Sequence, residues 1–154
     1  IASAAVRGEG TSREYLPEGY PAAADYQVVS ALAQSAAELC DGSFGNSYHV
    51  GVVHSKDSFY GEVEPQNSAV AKKLADNWEG YKACGCLTSE MECAAIFSVG
   101  LLRGARCGAV LTALWNVERS SAGLPDNITD DSSRAIQCVI GAVKKLIEQD
   151  KAQK

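Results

Sequence analysis

The alternation of short apolar runs with longer amphipathic segments is the feature that most constrains the fold of this chain. Three runs have the length and apolar content of buried strands: 1–7, 48–55 and 107–117. Four segments place apolar residues at helical spacing instead: 26–40, 68–77, 90–103 and 136–147. Strands that alternate with helices in this way predict an α/β fold built in layers.

Short signals mark where the predicted helices begin and end. Asp25 stands one residue before the segment 26–40, where its side chain is placed to cap the helix. Gly104 follows 90–103 and is a natural stop for that helix. Glycines interrupt 78–87, which we expect to be irregular.

Three polar loops separate the predicted elements, at 8–24, 55–67 and 116–130. Their content of Gly, Pro, Asn and Asp is typical of turns. In α/β sheets, ligands bind beyond the ends of the strands, in the loops. We therefore expect the functional residues in these loops or at the helix start near Glu90.

The composition excludes several functional classes. The chain has 154 residues, of which 46% are hydrophobic and 21% charged, with a formal net charge of −5. These values predict one globular domain with a real core and no basic surface for nucleic acid. No apolar run approaches the ~20 residues of a membrane span, and no signal peptide is present, so we expect a cytoplasmic protein without a membrane partner.

The six cysteines indicate the redox environment. They form no CxxC pair, and no histidine lies at zinc-finger spacing from them. Several have apolar neighbours, as Cys138 does beside Val139 and Ile140. We predict buried free thiols in a reducing compartment, without a disulfide framework and without a metal site.

The sequence Glu90-Met91-Glu92 allows two interpretations. Acidic residues are favoured in the first turn of a helix by the helix dipole, and methionine fills gaps in cores, so spacing alone favours a structural role. A carboxylate also offers two acceptor oxygens, which suit the adjacent hydroxyls of a sugar. The thioether would then pack on the apolar face of that sugar.

The aromatic pair Phe59-Tyr60 is also open to two interpretations. It follows a predicted strand, so the rings either plug the edge of the core or offer a platform on which a flat base stacks. We expect Lys56 to be a solvated charge. We expect His49 and His54 to be structural, because no Ser and Asp accompany them in the arrangement of a nucleophilic triad.

Three segments together carry a resemblance to a known family. The run SKDSFYG at 55–61, followed by SEMECAAIFSVG at 89–100, resembles the nucleoside phosphorylases of the uridine and purine phosphorylase type. The earlier run AVRGEGTSREYLP at 5–17, followed by YPAAAD at 20–25, is similar to a mid-chain segment of that family. The resemblance covers nearly the whole chain, in the family's order.

The resemblance implies a fold and a place in it. The family fold is a three-layer α-β-α sandwich with a mixed, barrel-like central sheet. Residues 1–154 would be the C-terminal part of a single nucleoside phosphorylase domain, incomplete at its N-terminus. The absence of an initial methionine and the strand-like start at Ile1 agree with this expectation.

The resemblance also implies an activity. Family members cleave the N-glycosidic bond of a nucleoside with inorganic phosphate, giving the free base and ribose 1-phosphate. Inorganic phosphate is the co-substrate, and no other cofactor is expected. A neighbouring subunit completes the pocket in this family, so we expect a homo-oligomer, either a dimer or a trimer of dimers, and an inactive monomer.

Residue roles follow from the same resemblance. Met91 and Glu92 would hold the ribose, with Glu92 on its hydroxyls as the catalytic contact. Glu90 would border the base or the sugar, and Phe59 would pack against the base.

Two features depart from the family pattern. The phosphate-binding loop and arginine, with a later threonine, lie upstream of the first matching segment, and we expect Arg7 and Arg13 to be surface charges. Uridine phosphorylases place a glutamine shortly after the aromatic pair, where this chain has Glu62, with Gln66 further along. A carboxylate accepts a hydrogen bond from pyrimidine N3–H but cannot donate one to a carbonyl.

The stretch ALWNVE bears on the choice of base. Purine-specific members and related nucleosidases place an aspartate after the corresponding strand, and this chain has Asn116 there. The difference favours a pyrimidine nucleoside such as uridine. Asn116 either bonds the base or serves as a turn residue.

The sequence leaves two alternative functions. One is a nucleoside hydrolase of the same fold, which uses water in place of phosphate. The other is a catalytically inactive homologue that serves as a storage protein or a partner subunit. Small-molecule nucleoside and phosphate are the ligands expected for the leading interpretation.

Overall fold

A mixed four-stranded sheet organises the structure, a computed structural model that describes residues 1–43, 46–126 and 128–153. The strands follow the order β2-β1-β3-β4 across the sheet. Their bounds are Ala2–Arg7 for β1, Ala22–Ala23 for β2, Gly51–Ser55 for β3 and Ser89–Glu90 for β4. Strands β1, β3 and β4 are parallel, and β2 is antiparallel to β1, which confirms the predicted α/β class with a mixed sheet.

Helices occupy most of the remaining chain. Within the described ranges they are α1 (Thr11–Tyr15), α2 (Tyr26–Leu39), α3 (Phe59–Val63), α4 (Ala71–Ala83), α5 (Cys93–Leu102), α6 (Val117–Ser121) and α7 (Ser133–Ala152). A single 3-10 turn, Pro65–Asn67, connects α3 to α4. Helix α2 begins as predicted, because Asp25 Oδ1 accepts a hydrogen bond from the Val28 amide at 3.1 Å.

The register of the parallel strands brings three chain segments to one edge. Arg7 pairs with Ser55, and Ser55 pairs with Glu90, so the last residues of β1, β3 and β4 lie side by side. Parallel strands direct their carboxyl ends to the same edge of a sheet, and the loops that follow must leave from there. This edge is called the strand-end row below.

Helix α5 covers the sheet and forms the first core. Phe97 is 1% exposed, and Cys93 and Ala94 of the same helix are buried with it against Ala5 and Val53 of the strands. Burying a side chain as large as Phe97 contributes about 1.5–3 kcal/mol. The packing fixes α5, and with it the loop that enters α5 from β4.

A second core joins α2 to α7. Small residues allow the two helices to approach closely: Ala31 and Ala36 lie opposite Cys138 and Ala142. The Cys138 thiol donates to the Leu32 carbonyl oxygen at 3.4 Å. The helical periodicity predicted for both segments is confirmed.

The strand predicted at 107–117 is wrong. Within the described residues this segment makes a single antiparallel bridge, between Ala2 and Ala109, and the Cys107 carbonyl accepts from the Asp25 amide at 2.7 Å. Cys107, Ala109 and Leu111 nevertheless pack against the first core, and Val110 packs against the second. The apolar content of this segment reflects packing between two cores and not a hydrogen-bonded ladder.

Several further boundaries differ from the prediction. The helix expected at 68–77 starts later and continues through Gly80 to Ala83, because Trp78 and Lys82 both bond to Glu118 and hold its second half. Irregular structure therefore begins after Ala83 and not at 78. The strand expected at 48–55 starts only at Gly51, and the helix expected at 90–103 starts at Cys93, because Glu90 belongs to β4.

The close approach of β1 to β3 gives a test of the strand-end row. A Cβ added at Gly8 would lie 2.3 Å from His54 Nε2 and 2.6 Å from the Ser55 carbonyl oxygen. We expect Gly8→Ala to lower the free energy of unfolding by about 1–3 kcal/mol, because the backbone must shift to relieve the overlap. The shift of the urea midpoint measures this loss.

Gly80→Ala is the matched control for this substitution. No atom lies within 4 Å of a Cβ at Gly80, and alanine favours the helix by about 1 kcal/mol. We expect an unchanged or higher urea midpoint. Equal losses in the two variants would contradict the close packing at Gly8.

Candidate functional site

The strand-end row is built around the hydroxyl of Ser55. Ser55 is fully buried, and its Oγ accepts a hydrogen bond from the Ala94 amide at 2.8 Å. The same Oγ donates to Glu90 Oε1. One hydroxyl at the end of β3 therefore joins the end of β4 to the first turn of α5.

Glu90 completes the start of α5. Its Oε2 accepts from the amides of Glu92 and Cys93, both at 2.7 Å. The first amides of a helix lack partners within the helix, and a carboxylate beside them also complements the helix dipole. The Glu90 carboxylate is thus engaged within the fold, and it sets the direction of the next two residues.

Met91 and Glu92 form the exposed tip of this turn. Met91 is 40% exposed, and the Glu92 side chain is exposed as well. Within the described part of the chain, the Glu92 carboxylate takes part in no hydrogen bond or ion pair. Two acidic residues only two positions apart therefore differ in role, because one carboxylate holds the turn and the other faces outward from it.

The aromatic pair lies at the end of the neighbouring strand. Phe59 is 45% exposed and meets Tyr60 edge to face, with ring centroids 5.5 Å apart. Ser58 Oγ caps α3 by accepting from the Gly61 amide at 2.9 Å. Asp57 Oδ2 accepts from the Gly10 amide at 3.0 Å, which joins this loop to the one that follows β1. The rings thus do not plug the core.

Lys56 is not the solvated charge that we predicted. Its side chain is 11% exposed, and Nζ donates to Glu62 Oε1 at 2.9 Å and to Ser89 Oγ at 2.6 Å. Ser89 Oγ in turn donates to Glu62 Oε2. This closed set of bonds, called the Lys56–Glu62 network below, joins α3 to β3 and β4.

His54 borders the same network. Its ring stacks on Tyr81 with centroids 4.3 Å apart, and its Nδ1 lies 4.0 Å from Glu62 Oε2. The Nδ1 atom is buried without a hydrogen bond. Burial lowers the pKa of His54 and outweighs the charge of Glu62, which acts in the opposite direction. The ring is therefore neutral at physiological pH.

Arg7 is likewise not a surface charge. Its guanidinium donates five hydrogen bonds: to Ser12 Oγ and to the carbonyl oxygens of Ser12, Leu16, Pro17 and Tyr20. These bonds hold together the segment predicted as the loop 8–24, which contains α1 and β2. Arg7 is a structural residue, whereas Arg13 is exposed as predicted.

Gln66 and Asn116 stand apart from the network. Gln66 is exposed on the 3-10 turn. Asn116 caps α6, since its Oδ1 accepts from the Arg119 amide at 3.0 Å. Its own amide donates to Asp126 Oδ2 at 2.8 Å. The turn interpretation of Asn116 therefore has direct geometric support, while base contact stays a prediction for both residues.

Sequence reasoning missed Ser55 and Ser89, and it misjudged Lys56. All three are polar residues at the ends of strands, and that position is the only signal the sequence offered. The partners of Ser55 lie 35 and 39 positions away and those of Ser89 lie 27 and 33 positions away, so these pairings could not be inferred from spacing. Lys56 and Glu62 are only six positions apart.

Across residues 1–43, 46–126 and 128–153, no group of three or more His, Cys, Asp or Glu side chains could hold a metal ion. In the same ranges, every helix is too short or too polar to cross a membrane.

Comparison with known proteins identifies the family. A family model described as the phosphorylase superfamily matches residues 1–148. The chain belongs to the phosphorylase superfamily. This membership confirms the resemblance drawn from the three sequence segments and agrees with the α/β architecture.

Individual relatives in this superfamily are similar over most of the chain. The uridine phosphorylase of Treponema pallidum is 41% identical over 150 residues, covering 97% of this chain and 56% of that protein. The uridine phosphorylase of Salmonella typhimurium is 28% identical over 150 residues, covering 96% and 57%. The guanosine phosphorylase of Halorubrum lacusprofundi is 32% identical over 153 residues, covering 95% and 57%. The chain thus spans little more than half the length of these relatives.

The role of Ser55 can be tested by deleting its hydroxyl. Ser55→Ala leaves the buried Ala94 amide without a partner, and we expect a loss of about 1–3 kcal/mol in the free energy of unfolding. Ser98→Ala is the control, because Ser98 is equally buried and its Oγ bonds to nothing in the described structure. Similar urea midpoints for both variants would mean that the Ser55 hydroxyl does not hold α5.

The cysteines at this edge should differ in reactivity. Cys93 is buried, and desolvation, followed by the charge of Glu90, raises the pKa of its thiol to about 12. The thiolate is the nucleophile, so Cys93 should resist iodoacetamide at pH 8 while exposed Cys84 is modified. Mass spectrometry of peptides after timed labelling measures both. Equal rates in the folded protein would contradict the packing around Cys93.

Proposed function

We propose that residues 1–154 form the C-terminal part of a uridine phosphorylase that takes part in nucleoside salvage. The observation that carries this proposal is the free carboxylate of Glu92, which faces outward from a turn fixed by Ser55 and Glu90. The names of the Treponema and Salmonella relatives support uridine as the substrate.

Four of the predicted residues have roles that their surroundings support. The Glu92 carboxylate accepts hydrogen bonds from adjacent ribose hydroxyls, and Met91 packs against the apolar face of the sugar. Phe59, half exposed at the neighbouring strand end, packs against the base. Glu90 sets the position of the sugar contacts through the start of α5.

The chemistry needs positioning and charge stabilisation. An oxygen of hydrogen phosphate bonds to ribose C1′ while the C1′–N1 bond breaks. The electron pair of the C1′–N1 bond leaves with uracil. The phosphate proton ends on the base, which gives uracil and ribose 1-phosphate. Holding the ribose hydroxyls at Glu92 orients C1′ toward phosphate, which lowers the entropic part of the barrier.

Membership of the superfamily supports an oligomeric assembly. We propose a cytoplasmic homo-oligomer, a dimer or a trimer of dimers, in which a neighbouring subunit completes the pocket. The residues that hold phosphate would come from chain outside the 154 residues. Inorganic phosphate is the co-substrate, and the reaction needs no further cofactor.

A second candidate substrate is guanosine. The guanosine phosphorylase of Halorubrum lacusprofundi, 32% identical, supports it. Against it stands Asn116, at the position where purine-specific members of the family carry an aspartate. Uridine is therefore the leading proposal.

Glu92→Gln in the full-length polypeptide tests the proposed function. The amide loses the charge-assisted bonds to the sugar hydroxyls, so kcat/KM for uridine with phosphate should fall about 10- to 100-fold at unchanged melting temperature. Release of uracil, followed by absorbance, measures the rate. Glu148→Gln on α7, exposed and distant in the chain, should keep the wild-type rate.

Several outcomes would contradict this function. Near-normal turnover by Glu92→Gln would mean that the Glu92 carboxylate does not bind the ribose hydroxyls. Equal uracil release without phosphate would indicate the hydrolase of the same fold. Absence of any nucleoside cleavage by the wild-type protein would indicate an inactive homologue.

A further inference from the structure

The Lys56–Glu62 network is a nearly buried ion pair at the edge where the base is proposed to bind. The two side chains are 11% and 10% exposed, and Nζ lies 2.9 Å from Glu62 Oε1. The same Nζ lies 5.8 Å from the centroid of the Phe59 ring. The ion pair and the aromatic surface therefore belong to one site.

Stability alone is a weak reason for such a pair. Removing two charges from water costs much of what their attraction returns, and well-packed apolar residues often serve as well in its place. Exposed pairs such as Lys72–Asp76 on α4 do not carry this desolvation cost. A buried pair beside an exposed aromatic ring thus indicates a binding role.

The bonds within the network leave capacity for a ligand. The ammonium of Lys56 has three donors, of which Glu62 and Ser89 take two. The carboxylate of Glu62 offers about four acceptor positions, of which Lys56 and Ser89 occupy two. One donor and neighbouring acceptors thus remain, side by side, on groups already fixed in place.

We propose that Lys56 and Glu62 together recognise the –NH–CO– edge of an oxo-base. Glu62 accepts from the ring N–H, and Lys56 donates to the carbonyl oxygen beside it. This proposal rests on the proposed function, since it places the base at Phe59. It gives this chain both the acceptor and the donor, which Glu62 alone cannot provide.

The pair defines a class of substrates. Uracil, thymine, hypoxanthine and guanine carry an N–H beside a carbonyl on this edge. Cytosine and adenine carry a ring-nitrogen lone pair beside an amino group, so the carboxylate of Glu62 would face a lone pair and the ammonium of Lys56 an amine. Neither contact forms a hydrogen bond, and both polar groups would stay unpaired.

Lys56 also suits the departure of the base. As the C1′–N1 bond breaks, its electron pair delocalises from N1 onto the carbonyl oxygens of uracil. A fixed cation in a site of low exposure stabilises that charge more than water does. Neutral His54 adds no second charge, so Lys56 is the cation of this network.

Glu62→Gln in the full-length protein tests the proposal. An amide can donate to the ring nitrogen of cytosine, so the preference for uridine over cytidine, as a ratio of kcat/KM values, should fall at least about tenfold. Asp76→Asn breaks the exposed pair on α4 and should leave the ratio unchanged. An unchanged ratio in a folded, active Glu62→Gln variant would overturn the proposal.

Lys56 variants separate binding from scaffolding. Lys56→Met should lower kcat for uridine more than it raises KM, because the variant no longer stabilises the negative charge that develops on the leaving base in the transition state. Lys56→Arg keeps a cation and should restore most of that kcat. Equal kcat values in Lys56→Met and wild type would mean that the Lys56 ammonium does not stabilise the leaving base.

The wild-type protein provides a test that depends on no variant. 3-Methyluridine lacks the N3–H, whereas 5-methyluridine keeps it. We expect 3-methyluridine to be cleaved at least about tenfold less efficiently than uridine, and 5-methyluridine to be cleaved comparably. Equal cleavage of uridine and 3-methyluridine would overturn the role of Glu62.

Binding of free bases separates this proposal from the proposed function. If the full-length protein cleaves no nucleoside, calorimetry with uracil, 3-methyluracil and cytosine still measures recognition of the edge. Tighter binding of uracil than of the other two supports the proposal even though phosphorolysis has failed. Equal affinities, or no binding of uracil, would overturn it.

Discussion

The hydroxyl of Ser55 is the contact on which the rest of the site depends. It lies fully buried at the end of β3, donates to Glu90 at the end of β4 and accepts from the first turn of α5. A sheet and a helix pack through apolar surfaces that permit sliding, but a buried hydrogen bond between them permits one position only. Because α5 is held in this way, the two residues before it point in a fixed direction.

The glutamate side chains at this edge differ in their hydrogen-bond partners. Glu90 accepts hydrogen bonds from backbone amides, and Glu62 accepts from an ammonium and a hydroxyl. Buried Glu9 accepts from the amide of Ser12 at 2.8 Å. Glu92 alone among these four has a carboxylate without a partner in the described structure. An exposed carboxylate without a partner is free to accept a hydrogen bond from a ligand, and the proposed ribose contact is therefore assigned to Glu92.

The sequence predicted the elements that depend on local pattern and missed the contacts that depend on distant pairing. Helices α2 and α7 follow from a 3.6-residue period, and Asp25 from a capping rule, because each involves residues within one or two turns. The segment 107–117 was misjudged because packing between two cores requires the same apolar content as a buried strand. Lys56 and Arg7 were misjudged because side chains near loops are usually solvated. The motif Glu90-Met91-Glu92 was predicted as one unit, and only the fold separates the carboxylate that holds the turn from the one that faces outward.

The strand-end row joins residues that are far apart along the chain. Its bonds connect positions separated by 35, 39 and 47 residues. Each such contact closes a long loop, and the entropy of closure is lost before any neighbouring contact compensates for it. During synthesis, β1 and β3 leave the ribosome well before the start of α5, so Ser55 remains without its two partners until Ala94 has emerged. The hydrogen bonds that fix the start of α5 can therefore form only late in synthesis, once residues 55 to 94 have all emerged.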